Sequence, residues 1–265
     1  MKKVFLPLLL IIFFATGCGG DQKDKNITRT KYDRIVVIGI DDNFAPMGFH
    51  DENGELVGFD IDLAEEVARR IGVEVEFKPI DWANKENEII SGNIDMIWNG
   101  LDIVDKYKEY MIFSKPYMTN RQILVVRKDN PQNIYSEFDL EGKIVGTQAG
   151  SSSEIYLNAD KDLKKRFKEF KTYPNFKEGF AALAKGEFDA LIIDEIAARY
   201  EKNLHPEKFD IVETTVGFVT EFGIGFRKNN RELRDKVQKA FDDMIKDGTA
   251  KEISEKWFQS DLIKP

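Results

Sequence analysis

The residues able to do reactive or charge-binding chemistry are few. Gly150 precedes Ser151, Ser152 and Ser153 at an expected helix start, where backbone N–H groups make a ready anion site, and Gln148 falls on the same loop. His50 and His205 lie far apart, and neither sits in a metal-ligand motif such as HExxH. A single cysteine, Cys18, excludes an internal disulfide and a Cys-rich zinc site. With no nucleophile–base pair and no metal set, no catalytic residue and no cofactor is expected. The 265-residue chain has 39 Lys+Arg against 47 Asp+Glu, a formal net charge of −8. That is the wrong sign for a nucleic-acid binder, which needs clustered positive charge.

The elements that position these residues begin after a leader. Lys2 and Lys3 open the chain, and Val4 to Ala15 is an uncharged run broken only by Pro7. It is too short for a spanning helix of ~20 residues and fits the apolar region of a secretory signal. It ends Ala15-Thr16-Gly17-Cys18, which resembles the lipobox of bacterial lipoproteins. The resemblance implies a signal peptide over 1–17, an acylated Cys18 as the new N-terminus, and an extracytoplasmic protein anchored to the cell membrane. Residues 18–32 are polar and rich in Lys, Asp and Asn, and read as a flexible tether.

The remainder alternates strand and helix signals, which argues for α/β architecture with two sheets. Ile35 to Ile40 is a nearly continuous aliphatic run, as expected of a strand buried on both faces. Asp60 is expected to cap a helix stopped by Gly72. Val73 to Phe77, Ile94 to Trp98, Ile123 to Val126, Lys143 to Thr147, Ala190 to Ile193 and Phe222 to Phe226 read as strands. Lys161 to Lys171 reads as a solvated helix face, and Leu233 to Ile245 as a helix ended by Gly248. Thr249 and Glu252 form a candidate capping box for a last helix. Trp98 is expected in the core, Asp81 at a helix cap, and Asn53-Gly54 in a tight turn.

Five motifs in order then carry a family resemblance. They are Ile38 to Asp41 with Phe44 to Met47 and Asp51 to Leu63, Asp95 to Gly100 with Phe113 to Tyr117, Val145 to Ser152, Gly186 to Asp194, and Phe222 to Phe226. The chain resembles the solute-binding proteins of ABC importers, in the family that captures polar amino acids (family 3). The resemblance implies a periplasmic-binding-protein-like fold of type II, two α/β lobes joined by two hinge strands. Lobe 1 is expected over 33–120 plus 222–265, and lobe 2 over 121–221. It implies a monomer, not an enzyme, that takes a small ligand in the cleft and hands it to a membrane permease.

Carried over residue by residue, the resemblance makes Asp41 and Phe44 the acid and aromatic of the first loop, Trp82 a second wall, and Asp194 the partner of an ammonium group. Ser151, Ser152 and Gln148 face the ligand. The stretch Asn99-Gly100-Leu101-Asp102 to Tyr107 departs from the pattern: Asp102 stands where family members usually show Ser or Thr, and Tyr107 where they show the Arg that clamps a carboxylate. An unfavourable charge pair at ~4 Å and an effective dielectric of ~20 costs about 4 kcal/mol. Three readings stay open. An amino acid is bound with its carboxylate on the Ser151–Ser153 helix start or on Lys106; a cationic amine or polyamine is bound among Asp41, Asp102, Asp194 and the rings; or the site is degenerate. A dehydratase-like enzyme with Asp102 as its acid, and a sensor module, are further alternatives on the same fold.

Overall fold

The computed structural model describes residues 35–265, so the expected signal peptide, Cys18 and the tether lie outside the described residues. In chain order the elements are β1 (Ile35–Ile40), β2 (Asn43–Phe44), β3 (Gly48–His50), β4 (Leu56–Val57), α1 (Phe59–Ile71), β5 (Glu74–Pro79), a 3-10 turn at Trp82–Asn84, α2 (Lys85–Ser91), β6 (Met96–Ile97), α3 (Asp105–Lys108) and β7 (Met111–Phe113). Then follow β8 (Met118–Arg127), β9 (Ile144–Gln148), α4 (Ser152–Ala159), α5 (Lys161–Arg166), β10 (Glu169–Tyr173), α6 (Phe176–Lys185), β11 (Ala190–Asp194), α7 (Glu195–Leu204) and β12 (Phe209–Phe222). The chain closes with β13 (Gly225–Arg227), α8 (Arg231–Asp247) and α9 (Thr249–Phe258).

Two five-stranded sheets form two lobes, ordered β5-β1-β6-β13-β7 and β10-β9-β11-β8-β12. The aliphatic run of β1 is explained by its place, since parallel partners β5 and β6 flank it and Ile38 and Ile40 are fully buried. β11 is likewise buried along its length between β8 and β9. β8 takes the chain into the second sheet and β12 brings it back, and the two pair antiparallel from Phe209↔Arg127 to Phe222↔Met118. The end of β12 also grips the first lobe: Ile103 N–H donates to Glu221 O at 2.8 Å and Gly223 N–H to Leu101 O at 2.9 Å.

Most expected elements are present, and the exceptions have physical reasons. Asp60 is not a helix cap. Gly58 precedes the helix, and Asp60 is fully buried, taking the Gly100 N–H at 2.6 Å and the Tyr117 hydroxyl at 2.9 Å. Gly72 ends that helix in the left-handed conformation, as expected. Lys161 to Lys171 is not one helix face, because the helix stops at Arg166 and β10 starts at Glu169. An edge strand with Glu169 and Lys171 around the packed Phe170 has the same composition as a solvated helix. Phe222 to Phe226 divides between β12 and β13, and the long β12 escapes a pattern reading because two register shifts and Gly217 break its alternation. Thr249 is the first residue of α9 rather than its cap, its hydroxyl donating to Asp247 at 2.7 Å. Trp98 lies fully in the core, Asp81 caps the turn at Trp82–Asn84, and Gly54 turns the chain between β3 and β4.

Candidate functional site

Both lobes present the carboxyl ends of their central strands to the space between them, where open α/β sheets place their binding loops. From the first lobe, Asp41 follows β1 and Phe44 sits in β2. Trp82 is set by Asp81, which accepts the Ala83 N–H at 3.1 Å. Gly100, Leu101 and Asp102 follow β6, and Tyr107 comes from α3. From the second lobe, Gln148 ends β9, Ser151 and Ser152 begin α4, and Asp194 ends β11. All of these line one cavity. Asn99 does not; it lies fully buried behind the wall, its Oδ1 accepting the Asp41 N–H at 3.0 Å. The walls stand close. The cavity is about 20 Å³, counted as space open to the centre of a water molecule, which is room for roughly one water.

Direct hydrogen bonds join the two walls. Gln148 Nε2 donates to Asp41 Oδ2 at 2.5 Å, and Ser152 donates its hydroxyl to Asp102. Tyr107 donates to the carbonyl of Gly150 at 2.8 Å, and Lys85 Nζ donates to the same carbonyl at 2.5 Å. Gly150 has φ +72, and a Cβ there meets the Ala83 backbone at 2.6 Å. Only glycine therefore lets the lobes approach this closely. Lys106, one expected holder of a carboxylate, is exposed and does not line this cavity, and Ser153 turns its hydroxyl to Gln122 Oε1 at 2.5 Å.

The charge at the site is unusual. Asp41, Asp102 and Asp194 are all nearly buried, at 6%, 4% and 6% exposure. Burial pushes Asp41 up to about 6. Burial, then the neighbouring Asp102, pushes Asp194 up to about 7, and Asp102 itself is raised by burial. Their hydrogen-bond partners are neutral. Asn120 Nδ2 donates to Asp102 at 3.0 Å and to Asp194 at 2.5 Å, Gln122 Nε2 to Asp194 at 2.7 Å, and Thr220 to Asp102 at 2.6 Å.

Asn120, Gln122, Thr220 and Lys85 were not singled out from the sequence. Asn120 and Gln122 are polar residues two apart on β8, ahead of the apolar run Ile123 to Val126, so they share one strand face. That alternation was the available signal. Thr220 pairs with Asn120, and Asp194 with Gln122, through sheet register alone, which no local pattern reveals. Lys85 is 3% exposed, bonds the Trp82 carbonyl at 3.0 Å as well as Gly150, and lies 4.7 Å from the centre of the Tyr107 ring. Burial, helped by Lys106, lowers its ammonium to about 7.

Residues 36–260 match the model of the bacterial extracellular solute-binding proteins, family 3. The chain is 30% identical over 240 residues to the L-cystine-binding protein TcyJ of Escherichia coli (strain K12), covering 90% of this chain and 88% of that protein. It is 32% identical over 272 residues to the probable amino-acid-binding protein YxeM of Bacillus subtilis (strain 168), covering 99% and 97%. Among solved structures it is similar to an ABC uptake transporter substrate-binding protein from Streptococcus pneumoniae with bound histidine. That match has 36% identity and a TM-score of 0.84, over 91% of this chain and 99% of that one. The chain belongs to the bacterial extracellular solute-binding proteins, family 3.

Proposed function

We propose that this protein captures an amino acid or a related small nitrogenous solute between its lobes and delivers it to the membrane permease of an ABC importer. One observation carries the reading: residues from both lobes converge on a single small cavity whose ionisable walls are the buried carboxylates Asp41, Asp102 and Asp194 and the phenol of Tyr107. Such walls favour a solute that brings an ammonium group. The relatives are named for amino acids, and their chemistry is binding rather than catalysis.

In this reading Asp194 receives the ammonium group, Asp41 stands as the acid of the first loop, and Phe44, Trp82 and Tyr107 pack on the solute. Gln148, Ser151, Ser152 and Gly100 shape the remaining wall, and Asn99 supports it from behind through the Asp41 N–H. Lobe 1 is 33–120 plus 222–265 and lobe 2 is 121–221. A solute exchanges the direct wall-to-wall bonds for bonds to itself, so its gain comes from both lobes and favours closure. The protein works as a monomer held outside the cell membrane by an acylated Cys18, on a tether over 18–32. Calorimetry against a panel of amino acids and amines tests the cleft. Asp194→Ala is expected to abolish the binding heat while leaving circular dichroism unchanged; unaltered affinity in that variant defeats the assignment.

A further inference from the structure

The charge around the cavity narrows the solute further, on the reading that this cleft is the solute site. The carboxylates fall into two poles that share no donor. Asp102 and Asp194 are bridged by the amide of Asn120, while Asp41 is held apart by Gln148 and by the Asn43 N–H at 2.9 Å. Every side chain that hydrogen-bonds these carboxylates is a neutral amide or hydroxyl. Among the described residues, no Arg, Lys or His lines the cavity. The nearby buried cation, Lys85, gives its hydrogens to the carbonyls of Gly150 and Trp82.

The start of α4, where a carboxylate is most welcome, is already answered from within the protein. Ser152 gives its hydroxyl to Asp102, which thus stands at the positive end of the helix. A ligand carboxylate placed there meets Asp102 at once, and one placed at the other pole meets Asp41. The aromatic walls Phe44, Trp82 and Tyr107 suit alkyl carbon and cationic nitrogen alike. We propose that the cleft selects an aliphatic diamine or guanidino-amine, a solute with two cationic nitrogen groups and no carboxylate, with one cation at the Asp102–Asp194 pole and the other at Asp41.

The test uses matched pairs that differ only by the carboxylate: putrescine against ornithine, cadaverine against lysine, agmatine against arginine. Calorimetry on the purified protein at pH 8 is expected to show the amine of at least one pair binding tenfold or more tighter than its amino acid. Asp102→Asn, which keeps the shape and removes the charge, is expected to weaken that amine at least tenfold. Its melting temperature reports separately that the variant is folded, and Asp194→Asn provides a second reading of the same pole. Amino acids that bind as tightly as their amines in every pair that gives heat overturn the inference and leave the cleft reading in place. Absence of binding in all three pairs overturns the inference as well. If the common amino acids then also give no heat, the cleft reading falls with it.

Discussion

Asp102 and Asp194 are buried with only neutral hydrogen-bond partners, and that makes protonation part of binding. Asp41 and Asp194 are raised to about 6 and about 7, and Asp102 is raised beside them. A carboxyl raised on folding stabilises the ligand-free protein most when protonated, so its contribution is present at low pH and is lost as pH rises through about 6 to 7. A cationic solute acts in the opposite sense, because it favours the ionised form. Between pH 5 and pH 7 its binding should release protons, and its affinity should fall below pH 7 by roughly tenfold per unit of pH for each proton released. Calorimetry in buffers of different ionisation enthalpy reads the proton number directly. The thermal shift produced by the solute should be larger at pH 8 than at pH 5, and an unchanged shift removes the linkage. Much of this site was legible in the sequence. Asp41, Phe44, Gln148, Ser151, Ser152 and Asp194 lie in the quoted motifs, Trp82 follows from alignment between them, and the departures at Asp102 and Tyr107 stand out against them. The donors that define its charge state were not legible, because Asn120, Gln122 and Thr220 meet the acids through strand register across residues far apart in the chain.

At the scale of elements, the lobes approach closely where the loop between β9 and α4 crosses the Trp82–Asn84 turn. Gly150 has φ +72 there, and its carbonyl takes hydrogen bonds from both Tyr107 and Lys85 of the opposite lobe. Replacement by alanine has two costs. The left-handed conformation disfavours any residue with a Cβ by about 1–3 kcal/mol. The Cβ also lies 2.6 Å from Ala83 Cα and 2.9 Å from the Trp82 carbonyl oxygen, and both are backbone atoms that cannot turn aside. Gly150→Ala should therefore wedge the lobes apart and weaken solute binding at least tenfold, with the lobes themselves still folded. Titration calorimetry and circular dichroism together check this, and wild-type affinity in the variant refutes it. The central strands β1 and β11 were readable because burial on both faces demands uninterrupted apolar residues. β12 was not, because its register against β8 shifts twice, with Gly217 at the second shift, so its faces alternate irregularly before its end bridges to Asp102 in the first lobe. The same limit hid β10, whose charged edge has no period long enough to separate strand from helix.

At the scale of the whole molecule, the proposed lipid anchor is what would keep an acidic body beside a membrane. Under that proposal, cleavage after residue 17 would remove Lys2 and Lys3 and no acid, leaving 37 basic and 47 acidic side chains. An anionic lipid surface attracts Lys- and Arg-rich segments, so a body of this charge is repelled by it. No helix among the described residues is long and apolar enough to cross a membrane. The proposed anchor is Cys18, the one residue of the sequence able to take a thioether-linked lipid. Each buried methylene of an acyl chain contributes ~0.8 kcal/mol; a single chain binds marginally, and more than one holds firmly. Cys18→Ser, with the leader otherwise intact, should move the protein from the membrane fraction to the soluble extracytoplasmic fraction. Its solute affinity should be unchanged, because the cleft lies wholly within residues 35–265. High salt should fail to release the wild-type protein while detergent succeeds, since the attachment is apolar. Persistent membrane attachment of the serine variant, or release of the wild type by salt, removes the lipid anchor from this account and leaves the cleft untouched.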